Sequence, residues 1–292
     1  MNGQATAHTV KLARSDDVDG FSAALRYLLH HDISPAQVTW DDGTQAQGDL
    51  FDIEAGTVLD RSRVETVAAG SIRLPRDFLT LARTIVLHNS VDRFRQLHAM
   101  AALLMRDRHA WADRMHPALL QLDRMAREVG REIHKMHAFV RFRPVVTEEG
   151  ETHIAWFEPE HHVVRAAAPF FAKRFAAMHW TILTPLGCAY WDRHALVFAP
   201  PAAREDAPEA DAGEALWLAY YRSIFNPARV KVDMMRREMP VRFWKNLPET
   251  GAITQLLHGA GERTYRMQNE VDEPVRKRKI RENIASKNTT ER

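Results

Sequence analysis

The chain has 292 residues, 45% of them hydrophobic and 27% charged, with a formal net charge of +2. This composition describes a globular protein of one large domain or two smaller ones. The net charge is too weak to imply nucleic acid by itself, so its distribution must decide, and the single cysteine, Cys188, excludes a disulfide framework, a zinc ribbon or an iron–sulfur cluster built from one chain.

The N-terminal stretch MNGQATAHTVKLARSDD has no apolar core of signal-peptide length, and no apolar run approaches the roughly 18 residues needed to span a bilayer. A cytoplasmic protein with no membrane partner is the expectation. HTVKLAR (8–14) alternates like a short strand. The helix after it carries Phe21, Leu25, Leu28 and Leu29 on one side, with Ser15 or Asp16 as its cap. QVTWDD (37–42) reads as a second strand before the turn-like DDGTQAQGD. From about Leu74 to Arg106, apolar residues recur at steps of three and four, with Pro75 in a first turn. HNSVD (88–92) divides this run into two helices, the second capped by Asn89 or Ser90. A further helix covers about Pro117 to His137, with Leu119, Leu122, Met125, Val129 and Ile133 on one face.

Beyond it the texture changes. AFVRFRPVV (138–146) and THIAWFEP (152–159) alternate on either side of TEEGE and read as a β-hairpin. HHVVRAAAPFFAKRFAAM (161–178) is helical, with Pro169 near its start or at a kink. HWTILTPLGCAYWD and HALVFAP return to strand texture. The expected fold is α+β, with helices packed on one face of an antiparallel sheet, a largely helical N-terminal half and a C-terminal helical segment. The expected organisation is a body over 1–198, helix-rich to 137 and a hairpin–helix–strand unit over 138–198. An acidic Pro/Ala linker (199–215), a basic aromatic helical segment (216–262) and a basic, disordered tail (263–292) follow.

The densest chemistry lies in YYRSIFNPARVKVDMMRREMPVRFWKNLPE (220–249). Asn226 is suited to cap a helix whose first residue is Pro227 and which stops at Pro240. A helix N-terminus favours anions, and Arg222 and Arg229 flank this one in sequence. Tyr221, Arg222, Asn226, Arg229, Lys231, Arg236, Arg237, Arg242, Trp244 and Lys245 are therefore candidate nucleic-acid contacts. Cations neutralise phosphates, and Tyr221 or Trp244 would stack on an unpaired base. An ordinary amphipathic helix pair with its charges in water would look the same. In the expected hairpin, Arg141 and Arg143 share one strand face and form a second basic candidate.

The same stretch, with HAFVRFRPV, AWFEPEHHVVRAAAPFFAKRFAAMHWTILTP and YWD, resembles a bacterial family called "probable DNA metabolism proteins", a domain of unknown function. The resemblance covers roughly Val18 to Leu257. It implies a role in DNA repair or modification, because such proteins are encoded beside a radical-SAM protein or fused to a uracil-DNA-glycosylase-like domain. The chain departs from the fused form: one cysteine cannot ligate the cluster of either enzyme. The resemblance thus implies DNA as a partner, with a radical-SAM or uracil-DNA-glycosylase-like protein supplying any chemistry and no cofactor in this chain. The alternatives are an adaptor that binds such an enzyme without touching DNA, and a metal-dependent nuclease or hydrolase. For the last, His134 and His137, near Glu132, and His161 and His162, near Glu158 and Glu160, are the candidate ligands. Neither segment has a specific metal motif, so no metal is the expectation. Cys188 lies in the apolar LGCAYW, where a buried small hydrophobe is the default.

Overall fold

The first alternation in the chain becomes β1 (His8–Lys11), and the computed structural model describes residues 7–43, 57–68, 72–147, 150–208, 232–247 and 249–253. Val10 points inward and is almost fully buried. Helix α1 (Val18–His30) follows, and its cap is Asp17 rather than Ser15 or Asp16. One Asp17 oxygen accepts from Gly20 N–H and the other from Ala13 N–H, which joins the helix start to the strand exit. The chain returns as β2 (Val38–Asp41), and a third short strand, β3 (Thr57–Leu59), lies on the other side of β1. All pairings in this sheet, of order β2–β1–β3, are parallel. A three-stranded parallel sheet therefore opens the half that was expected to be largely helical.

The helices come next: the single turn α2 (Arg61–Val64), α3 (Arg76–Ile85), α4 (Arg93–Arg106) and α5 (Pro117–Phe139). The break between α3 and α4 falls where expected. Its details differ: Pro75 is the N-cap of α3, and α4 starts after Asp92 without a side-chain cap. Ser90 Oγ instead accepts from Asp92 N–H, inside the corner. The apolar stripes of α1, α3, α4 and α5 meet in one core containing Phe21, Leu28, Phe78, Ile85, Leu97, Leu104, Leu119 and Met125. Each fully buried Leu or Phe adds about 1.5–3 kcal/mol.

Helix α5 runs two residues further than expected, to Phe139, and β4 begins only at Arg143. β4 (Arg143–Thr147) pairs antiparallel with β5 (Gly150–Trp156), confirming the hairpin with shorter strands. Helix α6 (Val164–Arg174) then carries the chain over the sheet, with Pro169 inside it. β6 (Trp180–Leu183), β7 (Cys188–Trp191) and β8 (Leu196–Ala199) complete the order β4–β5–β6–β7–β8. The β5–β6 pair is parallel, so the sheet is mixed rather than antiparallel. A crossover containing a helix permits this, whereas a tight turn cannot. α6 rests on the face that buries Trp180: Phe171 and Phe142 lie within 6.2 Å of its ring. The fold class is α+β, as expected.

The chain divides into two compact units, Met1–Gly213 and Glu214–Arg292. The described part of the second comprises α7 (Val232–Glu238), a 3₁₀ helix over Val241–Asn246 and a helical turn over 249–253. α7 ends before Pro240, as the sequence predicts.

Candidate nucleic-acid interface

Tyr221, Arg222, Asn226, Arg229 and Lys231 lie outside the described residues. Of the remaining candidates in the second unit, Arg236, Arg237 and Lys245 are exposed. Arg242 is half-buried, with its guanidinium 4.5 Å from the Phe243 ring centre. Trp244 is also half-buried, and its indole N–H donates to Met239 O at 2.8 Å. That bond fixes the ring against its own backbone and limits its use as a stacking platform.

Arg141 and Arg143 do not form a basic strand face. Arg141 precedes β4, and its Nη1 donates to Ala138 O at 2.7 Å and Val140 O at 3.3 Å. It closes the C-terminus of α5, where carbonyls lack intrahelical partners. Arg143 opens β4 and donates to Pro208 O at 2.8 Å.

The histidines also separate. His134 is exposed on α5. His137 Nε2 lies 3.3 Å from Ala167 O, and its ring stacks on Phe170 at 4.1 Å. His161 is buried, and its Nδ1 accepts from Asn89 N–H. Its ring sits 4.4 Å from that of His88. His88 Nδ1 accepts from Ser90 N–H, so its proton is on Nε2, which faces Glu128 at 3.0 Å. This bond is the main reason the Glu128 carboxyl is held below its usual range. These contacts pin the α3–α4 corner to the segment after β5. Among the described residues, no group of three or more His, Cys, Asp or Glu side chains could hold a metal ion.

The cations that do line up were missed by the sequence reading. On α5, the charged side chains that stand exposed are Arg124, Arg127 and Arg131. Of its carboxylates, Asp123 and Glu128 are half-buried, Glu128 lying beside Arg131, and Glu132 is buried, accepting from Glu160 N–H. Steps of three and four place the three arginines on one helix face over about 10 Å of axis. His134 stands at the edge of this face, and His137, well round the helix from Arg124, stacks on Phe170. Phe170 is 43% exposed, and Lys173 and Arg174, one turn further along α6, are exposed. The available signal was the arginine spacing opposite Leu122, Met125 and Val129.

The domain-of-unknown-function model DUF4130 matches residues 91–249. The chain belongs to the DUF4130 family. No curated protein and no solved structure matches it. The DUF4130 match includes α4, α5, the five-stranded sheet and α6, and so the whole basic face. No described helix is long and apolar enough to cross a membrane.

A second feature joins the DUF4130 region to the N-terminal sheet. A cleft of about 770 Å³ opens at the carboxyl ends of β1 and β2. Arg14 and Asp16 enter it from the β1–α1 loop, His162 and Arg165 from the start of α6, and Phe198 from β8. Asp16 bridges the two arginines: Oδ1 lies 2.6 Å from Arg14 Nε and Oδ2 3.3 Å from Arg165 Nε. The Arg165 guanidinium lies 4.1 Å from the centre of the Phe198 ring. His162 makes no side-chain hydrogen bond among the described residues, and burial, aided by Arg93, pushes its pKa down. Behind this wall Arg93 is buried against Asp42, at 2.5 Å.

Proposed function

We propose that this protein is an accessory nucleic-acid-binding factor in DNA repair or modification, with any covalent chemistry supplied by a partner enzyme. The observation that carries the reading is the α5 face, where every exposed charged side chain is an arginine. Arginines spaced along one helix neutralise phosphates and give affinity without base choice. The exposed Phe170, flanked by Lys173 and Arg174, adds a ring on which an unpaired base can stack. The likeness to DNA metabolism proteins favours DNA over RNA. Exposed Arg236, Arg237 and Lys245 are a second set of phosphate contacts.

The test is fluorescence anisotropy of labelled single-stranded and duplex DNA between about 50 and 200 mM salt. Changing Arg124, Arg127 and Arg131 together to Ala should weaken binding uniformly across sequences. It should also flatten the dependence of log K on log salt by about 0.9 per lost duplex phosphate contact. No binding by the unaltered protein at the low-salt end, or an unchanged slope in the triple variant, would sink the reading.

Exposed Met234 and Val241 favour a second reading for the Glu214–Arg292 unit, docking onto a radical-SAM or glycosylase-like partner. Co-purification with such a partner, lost on Met234→Asp and Val241→Asp, would support it. Retention of the partner by that variant would exclude it.

A further inference from the structure

We infer that the cleft between the β1–α1 loop and the start of α6 binds a mononucleotide unit, an aromatic base with its phosphate. It takes that unit either as a free nucleotide or as an unpaired nucleotide of a strand. The cleft is separate from the α5 face, since Arg124, Arg127 and Arg131 do not line it.

Position is the first argument. In open sheets with parallel strands, ligands sit outside the carboxyl ends of the strands. The cleft lies at that end of β1 and β2, the parallel pair on one side of the order β2–β1–β3. The residues leaving β1 and β2, Ala13–Asp16 and Asp42–Gly43, form the cleft wall. Its volume of about 770 Å³ lies within the roughly 300–1,000 Å³ typical of small-ligand sites.

Chemistry is the second. Two guanidinium groups, Arg14 and Arg165, meet the carboxylate of Asp16, and the second lining carboxylate, Asp42, is paired with the buried Arg93, so the set keeps one excess positive charge for an anion. Arg14 and Arg165 are both partly exposed, so they can turn from Asp16 to a phosphate. Arg165 already lies over Phe198, and the outer face of its planar group can take one more ring, as guanidinium planes do with nucleobases. Pro185, Leu186 and Pro200 supply apolar walls. His162 offers a neutral ring with one donor and one acceptor, suited to the edge of a heterocycle rather than to its charge. The start of α1 does not compete for the anion, because Asp17 already caps it.

The experiment is calorimetric titration of the full chain with the four deoxynucleoside 5′-monophosphates and, separately, with inorganic phosphate. A single-stranded oligonucleotide carrying one 2-aminopurine forms a third arm, read by fluorescence. Saturable nucleotide binding, weakened at least tenfold by Arg165→Ala and several-fold by Arg165→Lys, is expected. Asp16→Asn removes the competing carboxylate and should tighten binding several-fold. Phe198→Leu, chosen over Ala to preserve β8, should weaken nucleotides while leaving phosphate unchanged. The variant lacking Arg124, Arg127 and Arg131 should bind monophosphates normally, so loss of the DNA reading and loss of this one are separable. Quenching of 2-aminopurine that depends on Arg165, without binding of free nucleotides, assigns the cleft to a strand-borne nucleotide. The inference is overturned if no arm binds. It is equally overturned if inorganic phosphate binds as tightly as the nucleotides, or if binding ignores both Arg165 and Phe198 in variants whose melting shows them folded.

Discussion

Arg93 is a charged residue in the register of a core. Leu97, Met100, Ala101 and Leu104 follow it at steps of four, seven, eight and eleven, and all are buried. The periodicity that revealed α4 thus also marks Arg93 as inward-facing, while its neighbour Arg95 stands in solvent with Asp92. What the pattern could not supply is the partner, because Asp42 lies 51 residues away. Arg93 donates to Val86 O, Ser90 O, Ser15 O and the Asp42 carboxylate. It thereby ties the α3–α4 corner to the loops leaving β1 and β2. Burial pushes its pKa down and Asp42 pulls it back up. Removing one member of a buried ion pair leaves the other charge stranded, which costs about 3–5 kcal/mol. Arg93→Met should therefore lower the urea-derived unfolding free energy by about that amount. Adding Asp42→Asn to it should restore part of the loss. A deficit below about 1 kcal/mol for Arg93→Met, or strict additivity of the two changes, would show that the pair is not coupled in this way.

At the scale of elements, existence was more legible than extent. The stripe Leu119, Leu122, Met125, Val129 marks α5 in the sequence, yet its end was misplaced because FVRFRPV alternates apolar and charged residues as a strand does. The helix persists to Phe139 and Arg141 caps it, so the alternation records a helix end followed by a linker. The parallel β5–β6 pair was illegible for another reason. Strand texture gives no direction, and only the crossover through α6 decides it. The reassignment of Arg141 separates two outcomes. If it caps α5, Arg141→Ala should reduce stability by about 1 kcal/mol and leave the salt dependence of DNA binding unchanged. A changed salt slope with unchanged stability would restore Arg141 to the nucleic-acid surface and remove it from the cap.

At the scale of the molecule, the candidate cleft illustrates what a linear reading misses. The β1–α1 loop precedes the DUF4130 match, and Arg165 and Phe198 lie within it, so no local motif contains the site. The same long-range packing gives the Met1–Gly213 unit its response to acid. His8, His98, His137 and His162 all have depressed pKa values, each first because of burial. His98 is shifted furthest: it is fully buried beside Trp40, and burial takes its pKa to about 4, against a smaller upward effect of the Ile33 backbone. Unfolded, a histidine binds its proton near pH 6.5. Between about pH 6.5 and 4 the unfolded chain therefore holds more protons than the folded one, so stability rises with pH across that window. The contribution is fully present above about 6.5 and is lost progressively as pH falls toward 4. For His98 alone the loss is about 2 kcal/mol by pH 5, and His8, His137 and His162 add to it with the same sign. Urea unfolding at pH 7.5 and 5 measures it. His98→Leu keeps an apolar group against Trp40 and removes the titration, so its pH-dependent loss should be smaller than that of the unaltered chain by about 2 kcal/mol. An equal loss in both proteins would place the acid sensitivity elsewhere. A residual loss in His98→Leu contains the share of the other three histidines and of the depressed Glu128 carboxyl, and His162 ties part of it to the wall of the cleft.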